Sequence, residues 1–128
     1  MKWRIFSEYT SALFLLSYMG LIFYLSSIPG SELKVETPDY ILHALAFGGF
    51  YFFSTLFLLH QMKLKQSLLS GLFFTFLFAL SDEAHQYFVP GRTPDLRDIA
   101  ADLVGALFVL VMLIFIFRFY AFVKSKKG

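Results

Sequence analysis

The chain has 128 residues, of which 58% are hydrophobic, 20% aromatic and 16% charged, and its mean hydropathy is +0.67. That composition is too apolar for a soluble domain, and the length suits one membrane domain of four spanning helices with no separate soluble module. The absence of cysteine excludes disulfides, thiolate zinc sites and thiol redox chemistry, and a net charge of +2 is informative only through its distribution.

Four apolar runs predict helices over roughly 5–25, 40–60, 66–88 and 95–122. The first follows Lys2 and Arg4 as a signal peptide would. It is too long for an h-region and lacks an Ala-x-Ala cleavage site, so it reads as a retained helix. Glu8 stands four residues after Arg4, the spacing of a helical ion pair. Ser26-Ser27-Ile28-Pro29-Gly30 then signals a turn. The second helix opens with Thr37-Pro38-Asp39 and the fourth with Thr93-Pro94-Asp95, in each case a capping hydroxyl, a first-turn proline and an acid at the positive dipole end. This parallel raises a second expectation, two helical hairpins of the same orientation related by an axis along the membrane normal. A short basic connection, 60–66, joins the second and third helices.

The third run is the unusual one. Only 14 residues separate Ser67 from Leu80 inclusively, fewer than a crossing needs, so Ser81-Asp82-Glu83-Ala84-His85-Gln86 must lie partly within the membrane. Carboxylates at that depth are costly and are normally kept for a purpose.

Charge sets the expected orientation. Four crossings place Lys2, Arg4, Lys63, Lys65, Arg118, Lys124, Lys126 and Lys127 on one side with Glu8 as the lone acid; the other side carries Lys34, Arg92 and Arg97 against all eight remaining acids. Basic residues favour the cytoplasmic face, so both termini are expected inside and the acidic loops outside. Reporter fusions at each terminus and in the 88–96 loop test this, with cytoplasmic reporters active at the termini only; an external C-terminus would overturn it.

With that topology, ionisable residues from three helices gather at the outer end. Asp39 and His43 share a face at i, i+4, as do Asp82 and Gln86, with Glu83 beside them, and Asp98 and Asp102. Gly105, one turn beyond Asp102, permits close approach of a neighbouring helix. Asp102 is a candidate catalytic residue or a partner for Arg92 or Arg97. Asp39 and Asp95 read as helix-start residues, and His85, sharing no face with Asp82 or Gln86, reads as loop-facing. Arg92, beside Gly91 over the acidic cluster, could hold a phosphate or lock the carboxylates together.

These residues resemble a family. Ser26-x-Ile28-Pro29, Asp39-x-x-x-His43 with Phe47-Gly48, Ser81-Asp82-Glu83-x-x-Gln86-x-Phe88-x-Pro90-Gly91-Arg92 and Asp98-x-x-x-Asp102-x-x-Gly105 are similar to the VanZ-like membrane proteins over roughly 26–105. One position departs, since the family pattern usually has Asn where this chain has Asp102. The resemblance implies an envelope role: the founding member is associated with low-level teicoplanin resistance, and the family is grouped with membrane enzymes acting on lipid head groups.

The expected function is therefore at the extracytoplasmic face of the cytoplasmic membrane, on a lipid head group or lipid-linked envelope precursor, with no nucleic-acid partner. An enzyme would use His43, Asp82, Glu83, Gln86, Asp98 and Asp102 for catalysis and Arg92 and Ser26 to bind substrate. The acidic excess repels a naked phosphate, so a divalent cation, Mg2+ or Ca2+, is expected, with Glu83, Asp98 and Asp102 as candidate ligands. The alternative is a non-enzymatic protein that binds an envelope precursor or antibiotic in the same place. Transport is the weaker reading, because acids concentrated at one end trace no path across the bilayer.

Overall fold

The computed structural model describes residues 2–32 and 38–127, with side chains from Ser7 onward. Among them are four long helices and no strand: α1 (Lys2–Ser26), α2 (Asp39–Leu58), α3 (Leu64–Gln86) and α4 (Leu96–Lys126), with a single 3-10 turn at Gly30–Glu32. All four contain stretches long and apolar enough to cross a membrane. The all-α, four-helix transmembrane expectation holds. Helix α4 runs past the expected 122, because Arg118 to Lys126 contains no Gly or Pro to stop it. Its 31 residues span about 46 Å, well beyond a hydrocarbon core of about 30 Å.

Large apolar side chains stand exposed on every helix, among them Leu13, Phe14, Leu45, Phe73, Phe108 and Phe115. In water such a surface would aggregate; in a bilayer it meets lipid tails. Inside, α2 is the central element, packed most extensively on α4 and also against α3 and α1. Ile22, Phe47, Phe50 and Ala79 form the core towards the polar end, with Phe50 stacked on Phe78 at 4.5 Å. Tyr51, Leu68, Ala106 and Leu113 form the second cluster, where the Tyr51 hydroxyl donates to the Leu68 carbonyl at 3.2 Å.

Glycine decides how closely α2 and α4 approach. A side chain at Gly105 would collide with the backbone of Ala44, and Gly48 faces the Gly105 carbonyl from the other helix. This contact lies one turn from both His43 and Asp102.

The two ends of the bundle are tied differently. At one, Gln61 Nε2 donates to Glu8 Oε1, joining α1 to the connection between α2 and α3. Glu8 thus has a partner outside its own helix, while the side chain of Arg4 lies outside the described residues. At the other, Gly30 N–H donates to the Pro90 carbonyl at 3.1 Å, and Gly91 adopts a positive φ of 74°. A side chain at Gly30 would strike the Gly91 carbonyl, so the two loops cross on bare backbone. Gly30→Ala is expected to force them apart and cost about 1–3 kcal/mol, visible as a lower Tm in detergent; an unchanged Tm would refute the crossing.

Helix starts depart from the capping expectation. The N-cap of α4 is Asp95, whose side chain accepts from Arg97 N–H at 2.8 Å, and not Thr93. Arg97 also donates from its side chain to Asp95, and these bonds hold the Asp95 carboxyl below its ordinary pKa. Helix α2 is preceded by Pro38 with no side-chain cap. Thr37 and Lys34 lie outside the described residues. The two starts therefore differ in their capping chemistry.

Candidate functional site

The Ser81 to Gln86 segment is helical to its end, and its two acids and its amide turn inward: Asp82, Glu83 and Gln86 are all buried. Gln86 Nε2 donates to Asp82 Oδ2 at 2.9 Å, as their i, i+4 spacing allows. Glu83 reaches across to α4, where its Oε2 accepts the Asp95 N–H at 2.9 Å. That bond fixes the start of α4 against the end of α3. The other oxygen, Oε1, is buried without a hydrogen-bond partner among the described residues.

The centre of the site is a pair formed between helices. His43 Nδ1 and Asp102 Oδ1 lie 2.9 Å apart, with His43 7% exposed and Asp102 fully buried. An ionised carboxylate can only accept, so Nδ1 donates to Asp102, and Nε2 presents a lone pair when the ring is neutral. The ring lies parallel to that of Phe47, 6° between planes, which restrains its rotation. Nε2 makes no hydrogen bond among the described residues and stands 4.0 Å from Asp98 Oδ2. Asp102 thus finds His43 as its partner, rather than Arg92 or Arg97, because the Gly105 contact brings α4 against α2 at this depth.

His43 borders a cavity of about 340 Å³ whose wall also includes Asp39, Asp82, Gln86, Ser26 and Arg92. Ile22, Leu25, Leu42, Ala46 and Phe47 complete it. A polar rim over a mostly apolar wall is the lining expected for an amphiphile. Of the sequence-predicted site residues, His43, Asp82, Gln86, Arg92 and Ser26 lie on this wall, while Glu83, Asp98 and Asp102 are not part of it.

Arg92 is largely committed. Its Nε donates to the Ile28 carbonyl at 3.3 Å and Nη2 to the Leu25 carbonyl at 3.4 Å, closing the C-terminal end of α1 where partial negative charge collects. Nη1 lies 3.7 Å from Asp39 Oδ2. The guanidinium locks loops and one carboxylate together and leaves Nη1 facing Asp39. Replacing it by lysine removes the fork that spans both carbonyls; Arg92→Lys is expected to lower Tm by a few degrees, corresponding to about 1–2 kcal/mol. A variant as stable as the parent would show that these bonds contribute nothing.

Among the described residues, the groups able to hold a cation together are Asp39, His43 and Asp98, one ligand atom of each lying within 4.8 Å of the others. The trio Glu83, Asp98 and Asp102 expected from sequence is not the one that gathers: Glu83 is bonded to Asp95 and Asp102 to His43. Asp39 was legible as a cation ligand through its i, i+4 relation to His43, but its helix-start position masked that role. His85 faces both the end of α1 and the loop that follows it. Its ring packs on Phe23 at 4.3 Å and its Nε2 lies 2.9 Å from Ser27 Oγ, because α1 stands opposite the face of α3 that lacks Asp82 and Gln86.

No curated protein and no solved structure matches the chain. The sequence model of the VanZ/LLP1 family matches residues 11–119, which takes in all four helices and every residue of the polar site. Four apolar helices with a signature spread over three of them are thus one family domain, and the protein is a multi-pass membrane member of the VanZ/LLP1 family.

Proposed function

We propose that the protein is an enzyme of the cytoplasmic membrane that hydrolyses or exchanges the head group of a lipid or lipid-linked phosphate at the extracytoplasmic face. The observation that carries this reading is the buried His43–Asp102 pair, whose histidine lies on the wall of a largely apolar cavity. The charge asymmetry of the loops supports the orientation, with both termini cytoplasmic.

Each part has a chemical task. Apolar residues from α1 and α2 accept the lipid body, and Asp102 holds the His43 ring with Nε2 bare. Nε2 takes the proton of a water or alcohol as its oxygen bonds to phosphorus. The head-group P–O bond breaks, and the same proton passes to the departing oxygen. Asp98, 4.0 Å from Nε2, stabilises the imidazolium formed in between. Water as the nucleophile gives hydrolysis and an alcohol gives exchange. The family association with teicoplanin resistance fits an activity on envelope lipid at that face.

The competing reading, a binding protein for an envelope precursor or antibiotic, uses the same cavity without turnover. Purified protein incubated with defined phospholipids and lipid-linked phosphates decides between them. A new head-group species, seen by mass spectrometry, is expected from the enzyme. Lipid retained unchanged in every case would remove the enzymatic reading and leave the binding one.

A further inference from the structure

Charge at the polar end is unbalanced. Asp39, Asp82, Glu83, Asp98 and Asp102 gather there, with Arg92 and, when protonated, His43 as the cations facing them. Two carboxylate oxygens, Glu83 Oε1 and Asp102 Oδ2, are buried with no hydrogen-bond partner among the described residues. Buried negative charge of this kind calls for a positive group. His43, nine-tenths buried and with Nε2 unbonded among the described residues, lies on the cavity wall beside Asp39.

The spacing indicates what kind of positive group fits. Ligands of an octahedral Mg2+ at about 2.1 Å lie about 3.0 Å apart when neighbouring and about 4.2 Å apart when opposite, and those of Ca2+ lie somewhat further apart. Acceptors about 2.8 Å from an ammonium nitrogen lie about 4.6 Å apart. Nε2 and Asp98 Oδ2 are separated by 4.0 Å, and the atoms offered by Asp39, His43 and Asp98 all fall within 4.8 Å of one another. An ammonium fits that opening, as a divalent cation does.

A second feature says what the ammonium is attached to. Arg92 Nη1 stands 3.7 Å from Asp39 Oδ2, so a positive and a negative group lie side by side at the rim of an apolar cavity. A zwitterion laid across them meets complementary charge at both ends.

We propose that the site takes a phospholipid with a primary amine on its head group, the ammonium between Asp39 and Asp98 and the phosphate towards Arg92. The proposal rests on reading the cavity as a lipid head-group site. Two N–H groups of the ammonium reach the carboxylates. A trimethylated nitrogen cannot donate those hydrogen bonds, and a glycerol head group lacks the charge.

The test is competition among dioleoyl phosphatidylethanolamine, phosphatidylcholine and phosphatidylglycerol for the full-length protein, read by native mass spectrometry. The ethanolamine lipid is expected to be retained about tenfold over each of the others, and Asp98→Asn to reduce the preference to below about twofold. Equal retention of the choline lipid, or preference for the glycerol lipid, would overturn the proposal. So would loss of the preference in EDTA, which would assign the trio to a metal ion, or displacement of the lipid by millimolar free ethanolamine, which would show that the amine is read without its lipid. Ethanolamine-lipid selectivity with no new head-group species keeps this proposal and removes the enzyme; turnover of the glycerol lipid with no ethanolamine preference does the reverse.

Discussion

His43→Ala is expected to reduce kcat/KM on the head-group substrate by about 10²–10⁴-fold, the range for losing a positioned acid–base group. Lipid retention should change little, because most of the cavity wall is apolar and is formed by other residues. The comparison that isolates chemistry from packing is His43→Gln, which keeps a polar side chain of similar size beside Asp102 but cannot shuttle a proton at neutral pH. Both variants should fail alike in turnover while His43→Gln keeps the parent's Tm. Activity within about threefold of the parent in either variant would remove His43 from the reaction.

Gly105→Ala is the change with the largest expected structural effect. A methyl group there meets the carbonyl and Cα of Ala44, backbone atoms that cannot rotate aside, so α4 must move away from α2. Overpacking against backbone costs on the order of 2–3 kcal/mol, and the displacement falls one turn from the His43–Asp102 bond. The expected result is a markedly lower Tm together with loss of activity, although Gly105 touches no proposed reacting atom. Gly20→Ala is the control, since nothing lies within 4 Å of a side chain at Gly20. If Gly105→Ala and Gly20→Ala were equally stable, the close approach of α2 and α4 would be wrong.

How much of the site could be read beforehand depends on whether its residues share a helix. Asp82 with Gln86 was legible from i, i+4 spacing, and the hydrogen bond between them is found. The same spacing marked Asp39 with His43 and Asp98 with Asp102, and each of those pairs faces the polar end. Partners on different helices were not legible. Asp102 bonds His43, 59 positions away, and Glu83 bonds the backbone of Asp95 across the turn between α3 and α4. Arg92 was expected over the acids, to hold a phosphate or to lock the carboxylates together, and its Nη1 does face Asp39. Two of its three nitrogens close the end of α1, whose carbonyls no side-chain pattern advertises.

The sequence by itself determined four membrane helices, because hydropathy and run length are local properties and a bilayer demands that each crossing satisfy its own backbone. It also marked the Ser81 to Gln86 turn as exceptional, since acids at that depth are costly. Only the tertiary structure decided which acid holds the histidine and which face the cavity. Those choices follow from helix rotation and from the bare backbone at Gly48, Gly105, Gly30 and Gly91, where contact distance is set by a partner far away in the chain.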